Sequence, residues 1–241
     1  MNSSHKESFS IKSYDIDCNG NLKLFAFMNY AQEMANIHAD ALGFGYDNLM
    51  GKNTVWVLSR VHVKVLRHPK WRETIQMETW HKGDESIFGL RDFFVCDDNG
   101  EPLILATSSW VIIDAVSRRI LRIRNVVGDD NGTAYQRDAI KKSAERLTSP
   151  DGMVLVGEKR VSYSDIDINQ HTNNAKYIEW AVDFIDSDML EQKPVKEFTV
   201  NFNHESKLHQ KIDIFRKDTG DMVFIEGRLG DTNVFQIRFM F

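Results

Sequence analysis

The chain of 241 residues has only two cysteines, Cys18 and Cys96. Two thiols cannot build a disulfide framework and are not spaced as a C-x-x-C redox or zinc motif, so the expected setting is a reducing, cytoplasmic one. Proline (4) and glycine (14) are too sparse for a collagenous, low-complexity or disordered chain. Basic residues are not in surplus: 30 Lys and Arg stand against 35 Asp and Glu, a net charge of -5. A dedicated nucleic-acid binder needs the opposite balance to displace counterions from phosphates, so no nucleic-acid partner is expected. No run of about 18 apolar residues occurs, which argues against membrane insertion. The opening MNSSHKESFSIKSYD lacks the apolar h-region of an export signal and the Arg-rich amphipathic pattern of a transit peptide. What the chain does have is 42% hydrophobic and 11% aromatic residues, enough for a substantial core. At roughly 150 residues per domain, one large unit and two small ones are both open.

An internal echo decides between them. Asp15-Ile16-Asp17-Cys18-Asn19 recurs, offset by 150 residues, as Asp165-Ile166-Asp167-Ile168-Asn169. Each copy follows a short β-rich segment (9–14 and 161–163) and precedes a helical pattern. In the first helix, LKLFAFMNYAQEMANIHADALGFG, the residues Phe25, Met28, Ala31, Gln32, Ala35 and Ile37 fall near one stripe, with a stop at Gly43 or Gly45. In the second, NNAKYIEWAVDFID, Tyr177, Ile178, Ala181, Phe184 and Ile185 repeat it. Four strand-like runs follow each helix, with turns expected at Gly83-Asp84, Asn99-Gly100, Thr219-Gly220 and Gly230-Asp231. Strand, helix, four strands, twice over, predicts an α+β fold of two tandem hotdog units, each a long helix wrapped by an antiparallel sheet. Two copies in one chain would join edge to edge as an intramolecular pseudo-dimer. The polar stretch 116–150, which includes RRILRIRN and AIKKSAERL, would cross between the halves and carry a short helix.

The D-I-D-C-N-G run places Asp15, Asp17, Asn19 and Gly20 at EF-hand loop positions 1, 3, 5 and 6. Position 12 is Ala26 in the first copy and Lys176 in the second, where a bidentate Glu is required, so calcium and metal binding are not expected. The copies differ where it matters for chemistry: the second has His171 where the first has Asn21. An imidazole in one copy alone places the chemistry in the second half. Read as an extended segment, Asp167, Asn169 and His171 alternate to one side just before the helix. Asp167 and Asn169 also fit a turn-capping role, which in isolation is the more common one for such residues. Thr172 or Asn173 can serve as N-cap, and the free N–H groups that follow, with Asn174, would stabilise developing negative charge.

The run D-I-D-I-N-Q-H-T-N-N-A-K-Y-I-E-W, Asp165 to Trp180, resembles that of the acyl-ACP thioesterases, enzymes that release fatty acids from acyl carrier protein. Further similarity lies in NTVWVLSRVHVKVLRHPKWRETIQMETW and in the double-hotdog order across nearly the whole chain. The resemblance implies a cofactor-independent thioester hydrolase with a catalytic set of Asp167, Asn169, His171 and Glu205. Without it, Glu205 reads equally as an exposed strand residue beside Lys207. Plant members have Cys after the Glu and an Arg pair before it; here Ser206 follows and Asn203-His204 precede. A papain-like Cys nucleophile is therefore impossible at this position. General-base hydrolysis is expected, by His171 or Glu205, with Ser206 in a supporting place rather than as nucleophile.

The domain reading is 1–128 for an acyl-binding N-terminal hotdog, 129–154 for a linker and 155–241 for a catalytic C-terminal hotdog. Met28 and Trp56 are the acyl-lining candidates, chosen by position on the first helix and its facing strand. The partner implied is an acidic carrier protein, which the basic runs 67–72 and 118–124 could steer. Rival readings are an acyl-CoA thioesterase of the same architecture and a non-catalytic acyl-thioester sensor. Monomer and homodimer are both compatible.

Overall fold

A computed structural model describes residues 4–128, 135 and 137–241. The first half contains β1 (His5–Ser10), α1 (Leu24–Ala41), α2 (Tyr46–Met50), β2 (Thr54–Val65), β3 (Thr74–Glu85), β4 (Phe88–Asp97), β5 (Pro102–Asp114), β6 (Ile120–Leu121) and α3 (Ile123–Val127). The second contains β7 (Val154–Arg160), α4 (Asn174–Asp183), α5 (Ser187–Gln192), β8 (Glu197–Phe202), β9 (Lys211–Thr219), β10 (Met222–Leu229) and β11 (Thr232–Met240). The strands form one 11-stranded sheet in the order β1-β3-β4-β5-β2-β8-β11-β10-β9-β7, with β6 pairing β5. Read from each end toward the middle, the two halves have the same spatial order. They meet where β2 and β8 pair antiparallel, from Arg60 opposite Asn201 to Lys64 opposite Glu197. Neither half leaves an open edge at that seam.

Helices α1 and α4 lie side by side on one face of this sheet. At the seam Val61, Val63, Phe198 and Val200 are buried beneath them, forming one continuous core across the halves. On α1, Met28, Ala31 and Ala35 are core as the period predicts, whereas Phe25 and Ile37 are half-buried and Met34 and His38 take the deeper positions. The helix ends where Gly43 adopts φ 81° and its N–H bonds the Asp40 carbonyl. That left-handed turn costs a residue with a Cβ 1–2 kcal/mol, roughly, and glycine nothing.

Three local expectations differ from the structure. The turn between β3 and β4 falls at residues 86–87, with Ser86 at φ 61°, while Gly83 sits inside β3 at a bulge. A Gly in a strand marks a bulge as readily as a turn. Short helices α2 and α5 follow the long ones, so the helices are not followed by strands alone. Within 116–150 the short helix is α3, and AIKKSAERL is not helical. Residues 129–134 and 136 of the expected linker lie outside the described residues. The remainder is an extended strap tied by side chains: the Trp80 indole donates to the Arg137 carbonyl (2.7 Å), Asp92 accepts from the Ala139 N–H (2.8 Å), and Asn201 bonds both the Leu147 N–H (2.7 Å) and the Glu145 carbonyl (2.9 Å). Because strand side chains alternate, Asn201 faces away from its neighbour Val200, so the strap runs over the face opposite the helices.

Candidate active site

The echoed D-I-D segments fold alike. A single 3-10 turn is followed by a tight loop in which the Asp17 N–H bonds the Asn21 carbonyl (2.8 Å) and, 150 residues on, the Asp167 N–H bonds the His171 carbonyl (2.9 Å). Gly20 (φ 71°) and Gln170 (φ 63°) hold equivalent left-handed positions. Asp17 Oδ1 accepts the Asn19 N–H, and Asp167 Oδ1 accepts the Asn169 N–H at 2.8 Å. Asp167 thus closes its own turn, and the segment is not extended with Asp167, Asn169 and His171 on one side. Asn169 is exposed at the tip, and among the described residues no ion pair joins Asp167 to His171.

The imidazole finds its partner elsewhere. His171 Nε2 lies 3.2 Å from Glu205 Oε2, with side-chain exposures of 20% and 34%, so the pair is partly shielded yet open to solvent. Glu205 sits past the end of β8, where regular pairing cannot hold it. Its neighbour Ser206 does: it is fully buried, its hydroxyl lies 2.7 Å from Thr172 Oγ1 and 2.9 Å from the Tyr177 hydroxyl, and its N–H donates to that Tyr177 oxygen at 3.0 Å. The Thr172 N–H completes the bracket on the Ser206 carbonyl (2.9 Å). Burial and these bonds make Ser206 a clamp that sets the backbone of Glu205 against that of His171, and burial raises the Tyr177 phenol pKa.

Asn173 is the N-cap of α4: its Oδ1 accepts the Ala175 N–H (2.9 Å), its own N–H bonds Asp165, and its carbonyl accepts from Lys176. Thr172, the other cap candidate, is bound to Ser206 instead. Among the described residues the Asn174 N–H is left without an acceptor at the positive end of the helix. From the first half, Gln32 on α1 reaches this terminus, donating to Asn173 Oδ1 (3.3 Å) and lying 3.5 Å from Asn174 Nδ2.

Apolar space runs from there along α1. One pocket is bordered by Met28, Ala31, Gln32 and Trp110, and a second by Ala35, Ala39, Trp56, Trp110 and Arg91. Trp110 borders both, and Met28 and Trp56 are walls. The far end is polar: the buried Arg91 guanidinium lies 2.9 Å from His38 Nδ1, and burial pushes the nearby His81 down to about 4, with the Arg91 charge adding to the effect. Among the described residues no group of three or more His, Cys, Asp or Glu could hold a metal ion.

Sequence reasoning placed Gln32 and Tyr177 as stripe residues and Arg118 in a basic run. A polar residue in an otherwise apolar stripe was the one available signal for Gln32. Arg118 emerges only in three dimensions: its guanidinium pairs with Glu205.

A model of the acyl-ACP thioesterase N-terminal domain matches residues 2–129, and one of the C-terminal domain matches residues 150–236. A chloroplastic dodecanoyl-[acyl-carrier-protein] hydrolase of Cinnamomum camphora is 30% identical over 212 residues, 83% of this chain and 56% of that protein, so the chain spans little more than half its length. Among solved structures, an acyl-ACP thioesterase from Bacteroides thetaiotaomicron superposes with a TM-score of 0.87 at 25% identity, over 99% of this chain and 98% of that one. A 12:0-ACP thioesterase from Umbellularia californica gives a TM-score of 0.88 at 25% identity, over 100% and 97%. With both halves matched in order and the fold shared end to end, the chain belongs to the acyl-ACP thioesterase family.

Proposed function

We propose that the chain hydrolyses the thioester of fatty acyl-[acyl-carrier-protein], releasing the free fatty acid and ending chain elongation. The observation that carries this reading is the juxtaposition of His171 and Glu205, 3.2 Å apart, at the start of α4, where the Asn174 N–H has no acceptor among the described residues. The acyl chain lies along α1, past Met28 toward Trp56, and the thioester sits at the α4 terminus. The His171–Glu205 pair takes a proton from water as its oxygen adds to the carbonyl carbon. The Asn174 N–H donates to the oxyanion, and Asn169 is the candidate for a second donor. Collapse breaks the C–S bond, and the proton passes to the leaving sulfur. Asp167 acts through the turn that presents His171.

The same family reading assigns an acidic carrier protein as partner. Arg119, Arg122 and Arg124 are exposed in the same segment as Arg118 and supply the complementary charge. The chain holds both halves of the site, so no second copy is needed. Among the described residues no helix is long and apolar enough to cross a membrane, and both cysteines are free thiols, which fits work in a reducing compartment such as the cytoplasm.

The test follows free thiol released from matched acyl-carrier-protein and acyl-CoA substrates. Wild type is expected to favour the carrier-bound ester, and His171→Ala and Glu205→Gln each to lose about 10² to 10⁴-fold in kcat. Faster turnover of the CoA ester would move the assignment to an acyl-CoA thioesterase. Binding without hydrolysis, unchanged by either substitution, would make the protein a sensor.

A further inference from the structure

We infer that Arg118, supplied by the N-terminal half, is a positioning residue that fixes Glu205 as an orienting anion and thereby makes His171 the base; this rests on the hydrolase reading above. Glu205 has two carboxylate oxygens with different neighbours: Oε1 receives the Arg118 guanidinium, and Oε2 faces His171 Nε2 at 3.2 Å. Both oxygens are thus taken up by protein side chains. The carboxylate's remaining use is to orient the ring. A carboxylate only accepts, so the imidazole nitrogen facing it carries the proton, and Nδ1 is left as the basic atom of His171. This is the division of labour between carboxylate and imidazole in an acyl-transfer triad, with water in place of a nucleophilic side chain.

Arg118 is delivered by a rigid piece of backbone. After β5, Asp114 Oδ1 accepts the Val116 N–H (3.1 Å), the Ser117 N–H (2.6 Å) and the Ser117 hydroxyl (2.9 Å), which hold its carboxyl below the usual range. The Arg118 N–H bonds the Asp114 carbonyl (3.0 Å), the Asp114 N–H bonds the Arg119 carbonyl (2.9 Å), and Arg118 itself sits at φ 58°. The β5–β6 pairing of Ile112 with Leu121 and Ile113 with Ile120 closes the hairpin below. The Asp-anchored turn sets the direction in which the Arg118 side chain leaves the backbone, and the Ser206 clamp sets the backbone of Glu205. The ion pair between them therefore fixes the carboxylate end of Glu205, and its cation comes from the half that lacks the imidazole. Arg118 and Glu205 retain side-chain exposures of 41% and 34%, so the pair contributes little to stability and its loss can be read as function.

In the step itself, His171 Nδ1 accepts a proton from water while the water oxygen bonds to the carbonyl carbon. The C–S bond then breaks, and the imidazolium returns that proton to the thiolate sulfur. Glu205 and Arg118 keep their charges throughout.

The test uses the full chain with a carrier-free acyl thioester of N-acetylcysteamine, so that docking drops out. Arg118→Ala is expected to lower kcat about 10- to 100-fold, as loss of an orienting outer-shell partner does, with KM within about twofold. Arg118→Lys recovers part of the loss, and so does free guanidinium ion added to Arg118→Ala. An Arg118→Ala chain as active as wild type overturns the inference. So does a loss confined to KM on the carrier-bound substrate and absent with the carrier-free ester, which would make Arg118 a docking residue. Imidazole ¹⁵N shifts decide independently of turnover: one Nε2-protonated His171 tautomer that becomes a mixture in Arg118→Ala supports the inference, and identical populations in both chains refute it. A wild type that hydrolyses neither ester removes the hydrolase reading alone, because the tautomer measurement stands.

Discussion

Replacing Asn174 by proline removes one hydrogen-bond donor and almost nothing else. Asn174 is the first residue of α4, the position at which helices accept proline because that N–H has no intrahelical partner. The residue before a proline must be extended, and Asn173 already is, at φ -60° and ψ 137°. The bonds that build the cap are made by Asn173 with Asp165, Ala175 and Lys176, and none uses the Asn174 N–H. The substitution therefore deletes the proposed oxyanion donor within an intact helix. Loss of one such donor in acyl-transfer enzymes raises the barrier by about 2.7–4 kcal/mol, so kcat is expected to fall about 10² to 10³-fold. The control is Asn174→Ala, which keeps the N–H and gives up only the 3.5 Å contact with Gln32, at the limit of a hydrogen bond. It should stay within a few-fold of wild type. Steady-state thiol release at saturating acyl-carrier-protein reads the effect, with thermal melts confirming the fold. A proline variant that melts normally and retains kcat would refute the assignment. So would an alanine variant as impaired as the proline one.

Further outcomes follow from the packing. Tyr177→Phe strips a partner from the buried Ser206 hydroxyl and N–H, so chemical denaturation should show a loss of roughly 1–3 kcal/mol. Gly227→Ala places a methyl 2.8 Å from Ile212 Cγ2 and against the Phe235 ring, an overpacking expected to cost about 1–3 kcal/mol by the same measurement. His81 is held neutral by burial, with its pKa at about 4 against an ordinary 6.5. Between those values the unfolded chain binds a proton that the folded one does not, so this contribution is fully present above pH 6.5 and lost as pH falls toward 4. A shift of that size corresponds to about 3 kcal/mol, and urea midpoints at pH 7.5 and 5 should converge in His81→Gln relative to wild type. An equal pH dependence in both chains would count against the buried neutral histidine.

The echo of Asp165–Asn169 with Asp15–Asn19 was enough to predict the duplication, because a tight turn and helix start are local events written in neighbouring residues. The same holds for α1 and α4, whose 3.6-residue periods survive in the chain, and for the hairpin turns at Gly100, Gly220 and Gly230, where φ is positive. His171 stood out for a local reason too, as the imidazole that only one copy has. Bulge and turn at Gly83 were not separable, since glycine permits both and register against β4 chooses between them. The strap's conformation was equally hidden: AIKKSAERL has helix-forming residues, but Asp92 and Asn201 capture its backbone from distant strands.

What the sequence by itself determined is therefore the repeated order of long helix and strands and the half that carries the imidazole, since each depends on residues a few positions apart. Tertiary structure decided the alliances. It set Glu205 rather than Asp167 beside His171, buried Ser206 under Tyr177, brought Gln32 to the start of α4 and turned Arg118 onto Glu205. These contacts join residues up to 142 positions apart, and only the edge-to-edge closure of β2 on β8, with two helices packed across it, brings such residues within hydrogen-bond reach.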